Sequence, residues 1–123
     1  MDNTWNFIGD KMRQVASGLL RCHDKIGKKS FVVNNIKSDH PSAVSFIITE
    51  EENKERLINH PVSLAQESAG GYLYVTGLIS GVDDKNDTLL MTVSKASWFI
   101  RKGKGKDSWL EETFVYEQLG KAS

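Results

Sequence analysis

The chain has 123 residues, of which 39% are hydrophobic and 26% charged, and its 16 basic residues balance its 16 acidic residues. A chain of this length fits one domain with a single core, and this composition argues against disordered, collagen-like and membrane proteins. Because the formal net charge is zero, the whole molecule is not steered toward nucleic acid or an anionic membrane, so any such affinity requires a local patch. We predict a single α+β domain that spans residues 1–123.

The cysteine count and the start of the chain indicate the compartment. Cys22 is the only cysteine, so one chain can form neither an intramolecular disulfide nor a cysteine-based zinc site. The sequence does not open with a basic segment followed by an apolar core and a cleavage site, and its longest apolar runs are a few residues long. We expect a cytoplasmic protein with no signal peptide, no membrane-spanning segment and no cofactor.

The first predicted element is an amphipathic helix from Trp5 to about Lys25. Side chains three and four positions apart share one face of a helix, and the apolar residues here alternate between these two spacings. Asn3 or Thr4 is expected to cap the helix, and Gly27 to end it. We expect the apolar stripe to cover one face of a sheet, with Leu19 buried in its middle. The members of the stripe are Trp5, Ile8, Met12, Val15, Leu19, Cys22 and Ile26.

From residue 31 onward the apolar residues alternate with a period of two, which predicts β-strands. Two segments stay ambiguous: 50–59 is a short helix or another strand, with Pro61 ending either, and 109–118 is a strand or, since Ser108 resembles a helix cap, a helix. The predicted fold is α+β, with the N-terminal helix packed on a curled, mostly antiparallel sheet of about five strands. The predicted strands lie at 31–37, 43–49, 72–79, 88–101 and 109–117.

A basic loop is the strongest candidate binding site in the sequence. Four cations fall within residues 101–106, separated by glycines whose backbone N–H groups can approach a phosphate. Tryptophans on either side could stack on a base, so this combination suits a nucleotide or single-stranded nucleic acid. The structural alternative is a solvated hairpin loop with both tryptophans in the core. The candidate residues are Arg101, Lys102, Lys104, Lys106, Trp98 and Trp109.

No pattern typical of catalysis or metal binding matches the sequence. His23, His40 and His60 lack the spacing of a metal site, and the acidic turn at 83–87 lacks the remaining ligands of a calcium loop. Cys22 continues an apolar stripe, which favours burial over reactivity. We therefore predict no metal site and assign no catalytic residue.

These observations favour a small non-catalytic binding protein that acts as an adaptor, inhibitor or sequestering module through contact with a protein partner or a second copy of itself. The alternative is a nucleotide or single-stranded nucleic-acid binder that uses the basic loop. A third hypothesis is an enzyme whose pocket is assembled by the fold and is not visible in the sequence. The acidic cluster at 50–55 offers a surface for a basic partner in the first case.

Overall fold

The computed structural model describes residues 3–15, 17–23, 30–40, 42–48, 54–68, 70–83, 85 and 87–117. These residues form one α-helix, seven strands and two short 3-10 helices, at Lys54–Leu57 and Gly105–Asp107. The main elements, in chain order, are α1 (Asn3–Val15), β1 (Ser17–Cys22), β2 (Ser30–His40), β3 (Ala43–Ile48), β4 (Pro61–Ser68), β5 (Gly71–Asp83), β6 (Thr88–Lys102) and β7 (Trp109–Glu117).

All seven strands form one antiparallel sheet in the order β3-β2-β1-β4-β5-β6-β7, and β3 also pairs with β6. Six strands therefore close into a barrel, while β7 extends the sheet as an additional strand. Strand β6 serves both neighbours, because Thr88–Thr92 pairs with β3 and Lys95–Lys102 pairs with β7. The predicted α+β class with an antiparallel sheet is confirmed, but the sheet has more than five strands and its curl goes as far as closure.

The predicted helix from Trp5 to Lys25 is wrong beyond Val15, because residues 17–22 form β1. This strand lies between β2 and β4, so its side chains alternate: Leu20 is fully buried and Leu19 is 42% exposed. Gly18 permits the close approach to β4, since a Cβ there would lie 2.7 Å from the carbonyl oxygen of Ala65. Lys25, Ile26 and the proposed stop at Gly27 lie outside the described residues.

Strand β4 was not predicted, because Pro61 was interpreted as the end of an element. In the structure Pro61 begins β4, a position where proline costs no hydrogen bond that the strand interior requires. The ambiguous segment before it contains the 3-10 helix Lys54–Leu57, while residues 50–53 lie outside the description. The strand interpretation of 109–117 is confirmed.

Helix α1 packs over the inner side of the sheet through the first members of the predicted stripe. Trp5, Ile8 and Met12 are at most 3% exposed. The Trp5 indole donates a hydrogen bond to Ser38 Oγ (2.8 Å), and the buried Gln66 amide donates to the carbonyl oxygens of Met12 and Ser17 (3.1 Å each). These bonds fix both ends of the helix against the barrel. Within the described residues, no helix is long and apolar enough to cross a membrane.

The alternation in β1 predicts opposite outcomes for neighbouring substitutions. Leu20→Asp places a carboxylate in the core and should lower the free energy of unfolding by at least ~3 kcal/mol. Leu19→Asp places the same group in solvent and should change it by about 1 kcal/mol or less. Urea unfolding measures both. Equal destabilisation by the two variants would contradict the strand assignment.

Candidate functional site

The outward side of β4–β7 carries a patch of apolar side chains that the core does not use. Tyr72 and Tyr74 project from β5 with ring centroids 6.5 Å apart and planes 13° from parallel, and the Phe99 ring lies 6.1 Å from Tyr72. Cross-strand pairing continues the patch from Ala65 through Tyr74 and Ser97 to Val115. We call this patch the outer aromatic face, and it consists of Ala65, Tyr72, Tyr74, Phe99, Leu110 and Val115.

Alternation along β5 explains how these residues reach one face. Tyr72 and Tyr74 alternate with Leu73 and Val75, which are at most 1% exposed and fill the barrel. Both phases of this strand are apolar, so only one of them can serve the core. The sequence pattern predicted a central strand but did not identify which phase would remain outside, and the outer aromatic face was missed for that reason.

Charged residues border the outer aromatic face on two sides. On one side, Glu67 lies opposite Tyr72 and Glu112 lies opposite Phe99. The other side belongs to a cross-strand row that contains Arg21 and Lys95, the latter paired with Glu117. The middle of the face is therefore apolar, and the border with Lys95 is mainly basic. On the opposite side, Glu67 and Glu112 end the row of Tyr72 and Phe99, and Arg101 lies beyond that row, opposite Leu110.

Electrostatics at this face act most clearly on Tyr72. Partial burial raises the pKa of the Tyr72 hydroxyl above its ordinary value, and the nearby Tyr74 and Glu67 add to the increase while Arg21 opposes it. Each of these causes follows from position on the face, because burial and neighbouring negative charge both disfavour the phenolate.

The hairpin between β6 and β7 carries the predicted basic site. Arg101 and Lys102 end β6, and Lys104 and Lys106 follow in an exposed turn. Trp109 is 55% exposed and lies opposite Lys102 across the hairpin. We call the four cations and Trp109 the hairpin tip. The hairpin tip therefore brings four cations and one exposed indole to one end of the β6–β7 hairpin, which is part of the arrangement that the nucleotide hypothesis requires.

Trp98, the other predicted stacking residue, lies elsewhere. Its side chain is 4% exposed and packs beneath Gly71, and the Lys11 ammonium lies 4.6 Å from the centre of its ring. The structure therefore brings Trp109 to the basic loop and leaves Trp98 in the core.

The other polar residues that the sequence singled out are buried or make local hydrogen bonds. His23 Nε2 and Ser63 Oγ share a hydrogen bond of 2.8 Å, but Ser63 is 4% exposed, so a substrate cannot approach its oxygen. Cys22 is buried, as predicted, although in a strand. In the acidic turn, Asp83 accepts a hydrogen bond from the backbone N–H of Lys85 (3.2 Å). Within the described ranges no three His, Cys, Asp or Glu residues are grouped as a metal site requires.

Two open grooves of about 500 Å³ each are candidate locations for the enzyme hypothesis: one contains Lys37 and Asp83, and the other lies beside the His23–Ser63 pair. The second groove is the more apolar of the two. Its lining combines apolar side chains with hydroxyls, and the residues that form it include His23, Val62, Thr76, Leu78, Thr92 and Ser94. Carboxylates are missing from this described lining, so His23 is the sole side chain there suited to general acid or base chemistry.

Comparison with known proteins shows the fold. No protein-family model and no curated protein matches the sequence. Among solved structures, the chain is similar to a crystal structure at 2.46 Å resolution named "putative general stress protein 26" from Jannaschia sp. CCS1, with a TM-score of 0.57 and 16% sequence identity. The match covers 85% of this chain and 83% of the other. At this identity the likeness concerns the architecture alone.

The raised pKa of Tyr72 makes a prediction about pH. The folded protein holds this proton more tightly than the unfolded chain, whose tyrosines titrate near pH ~10. Stability present below that pH is therefore lost as the pH rises through the folded value. In a titration that follows tyrosinate absorbance, Tyr72→Phe should remove the ionisation that occurs at the highest pH. Glu67→Gln should move that ionisation to lower pH, because it removes a negative charge near the Tyr72 hydroxyl. If the high-pH part of the titration curve is unchanged in Tyr72→Phe, the Tyr72 hydroxyl is not the group with the raised pKa.

Proposed function

We propose that this protein is a non-catalytic protein-interaction module and that the outer aromatic face is its contact surface. The observation that supports this is the row of apolar side chains on the outward side of β4–β7, where the core is complete without them. Scattered exposed apolar residues are normal, but a contiguous group bordered by charges is typical of a protein contact site. Tyrosine and phenylalanine are also residue types that contribute strongly to such contacts.

The occupant we assign to the outer aromatic face is a second copy of this chain. A two-fold interface joins the same patch on both copies, so its two borders must complement each other. A two-fold axis along the row from Ala65 to Val115 would set the border with Arg21 and Lys95 of one copy against the border with Glu67 and Glu112 of the other. The formal net charge of zero adds no long-range repulsion between copies.

The hypothesis of an adaptor, inhibitor or sequestering protein concerns what such a module does for a cell. A dimer would present two copies of each surface outside the interface. Two binding surfaces suit an adaptor better than an inhibitor or a sequestering protein, which needs one. The lone cysteine is buried at 9% exposure and thus protected, which is compatible with the cytoplasmic location we propose.

The proposed dimer predicts a change in molecular mass. Tyr74→Glu places a carboxylate in the centre of the outer aromatic face and should shift sedimentation velocity from dimer to monomer, raising the dissociation constant about a hundredfold or more. Leu90→Glu is the matched control, because Leu90 is a 40% exposed outward residue of β6 that lies outside the face.

Both variants should melt as the wild type does, which shows that they fold. A wild type that sediments as a monomer at every concentration would exclude the second copy as occupant. Equal dissociation in both variants would exclude this face as the interface.

The hairpin tip supports a second candidate function, the binding of a nucleotide or single-stranded nucleic acid. The observation in its favour is the exposed Trp109 ring beside Lys102, because aromatic stacking combined with nearby cations is a common way to hold single strands.

Replacing Lys102, Lys104 and Lys106 together by alanine should abolish this binding and leave the melting temperature nearly unchanged, because exposed loop charges add little stability. The measurement is tryptophan fluorescence with mixed-sequence oligonucleotides and nucleotides at low salt. Trp109→Phe should remove the signal, since Trp5 and Trp98 are buried. For an oligonucleotide, affinity should fall steeply as salt rises. A wild type that gives neither a fluorescence change nor heat in calorimetry excludes this function.

A further inference from the structure

Strand β7 is the edge of the sheet in the described part of the chain. Its backbone pairs with β6 on one side. Every residue of β7 except Tyr116 is exposed, and α1 meets this strand at Phe114 and Tyr116, where the rings of Phe7 and Trp5 pack. An edge strand directs alternate N–H and C=O groups away from its neighbour, so Trp109–Val115 offers backbone groups to a further strand. We call this stretch the acceptor edge.

The acceptor edge repeats one chemical pattern on both of its faces. A bulge at Thr113, whose hydroxyl donates to the Trp98 carbonyl oxygen (3.2 Å), resets the alternation. Each face therefore presents an apolar residue, a glutamate and another apolar residue in order. On the outward side these are Leu110, Glu112 and Val115, and on the helix side they are Trp109, Glu111 and Phe114. All four apolar residues are at least 40% exposed.

The glutamates at the centre of the acceptor edge have no cation of β6 directly opposite them, since Arg101 and Lys102 pair with the preceding residues, Leu110 and Trp109. Glu111 lies opposite Ile100 and Glu112 lies opposite Phe99, and no ion pair joins either carboxylate to another described side chain. Charges on edge strands commonly prevent unwanted pairing. Here they act selectively, because β7 contains three glutamates and no lysine or arginine.

The charge pattern decides between the possible strands. Pairing of β7 with β7 of a second copy gives its glutamates no opposite charge, and like charges directly opposite destabilise a sheet. A strand with cations at the matching positions gains two charge pairs and covers the apolar residues on both sides of them. Consecutive residues of a strand point to opposite faces, so one such strand meets Glu111 and Glu112 with two adjacent residues.

We propose that the acceptor edge binds an extended segment of another protein in which two adjacent basic residues are flanked on both sides by apolar residues. The segment adds a strand to the sheet beside β7, with backbone hydrogen bonds providing affinity and the central cations providing selectivity. The outward side of the acceptor edge shares Leu110 and Val115 with the outer aromatic face, but strand addition uses the backbone edge of β7 and does not require that the protein dimerise.

A designed peptide tests the proposal directly. The probe is a fluorescein-labelled, acetylated peptide in which two adjacent lysines are flanked on each side by a pair of valines and a terminal threonine. Fluorescence anisotropy should show saturable binding to the wild-type protein. A peptide with glutamates in place of the lysines should bind with a dissociation constant at least about tenfold higher. A lysine peptide with N-methylated backbone amides should lose binding, because it cannot pair as a strand.

Charge reversal at the edge provides the decisive comparison. Glu111→Lys with Glu112→Lys should exchange the preference, so that the glutamate peptide binds more tightly than the lysine peptide. Asp10→Lys with Glu55→Lys is the matched control, because it makes the same net charge change at exposed positions away from β7. This control should keep the wild-type preference, and circular dichroism should show that both variants fold.

Three results would overturn the proposal: no binding of the lysine peptide, equal binding of its N-methylated form, or an exchange of preference in the control variant as well. The Tyr74→Glu variant keeps the test separate from the proposed dimer, since that variant should retain peptide binding whether or not it sediments as a monomer.

Discussion

The division of β6 between two neighbours is the constraint on which the rest of the structure depends. A barrel closes fully when each strand keeps one neighbour on each side along its whole length. Here the first part of β6 closes against β3, and the later part turns to β7. The inward side chains of the β6 segment that pairs with β7 are therefore not enclosed by the barrel, and α1 packs over them. Trp5 packs edge-on against Tyr116 at 4.8 Å, and Phe7 stacks on Phe114 at 3.9 Å. The Tyr116 hydroxyl also shares a hydrogen bond of 2.5 Å with Ser42, the residue just before β3.

Sequence periodicity predicted the strands whose two faces differ and failed where three-dimensional pairing overrode a local pattern. Strands β2, β3 and β6 were identified from alternation and from their β-branched and aromatic residues, and β5, whose two phases are both apolar, was identified as a central strand. Leu19 and Cys22 continue a helical spacing by coincidence, since β-pairing with β2 and β4 determines the conformation of that segment. Apolar residues spaced by three and four cannot distinguish one long helix from a short helix followed by a strand when apolar residues of the strand happen to fall at the same spacing. Tertiary hydrogen bonding made that difference.

Bulges explain why the candidate sites were only partly predictable. Val93 points into the barrel. If side chains alternated without interruption from Val93, Trp98, five residues later, would point outward into solvent. The register shift beside Gly77 inserts Ser94 as an extra residue, so Ala96 and Trp98 point inward instead. Glycine suits that position, because a Cβ on Gly77 would lie 2.0 Å from the Thr92 carbonyl oxygen. A one-residue shift reverses the face of every following side chain, and nothing in a single sequence marks it clearly.

The separation between core and surface roles gives the interaction hypothesis its physical basis. Inward residues of β5, such as Leu73 and Val75, complete a core that is closed on its own. The outward tyrosines of the same strand add little to that core, yet they keep apolar surface in water at a cost of roughly 25 cal/mol for each Å². In the proposed dimer, contact with the second copy would recover that cost, and the charged borders would decide which surface is accepted. On β7 the glutamates interrupt the apolar sequence at its centre. In the proposed strand addition, the apolar residues of β7 would therefore attract a partner strand, and the glutamates would reject one without matching cations.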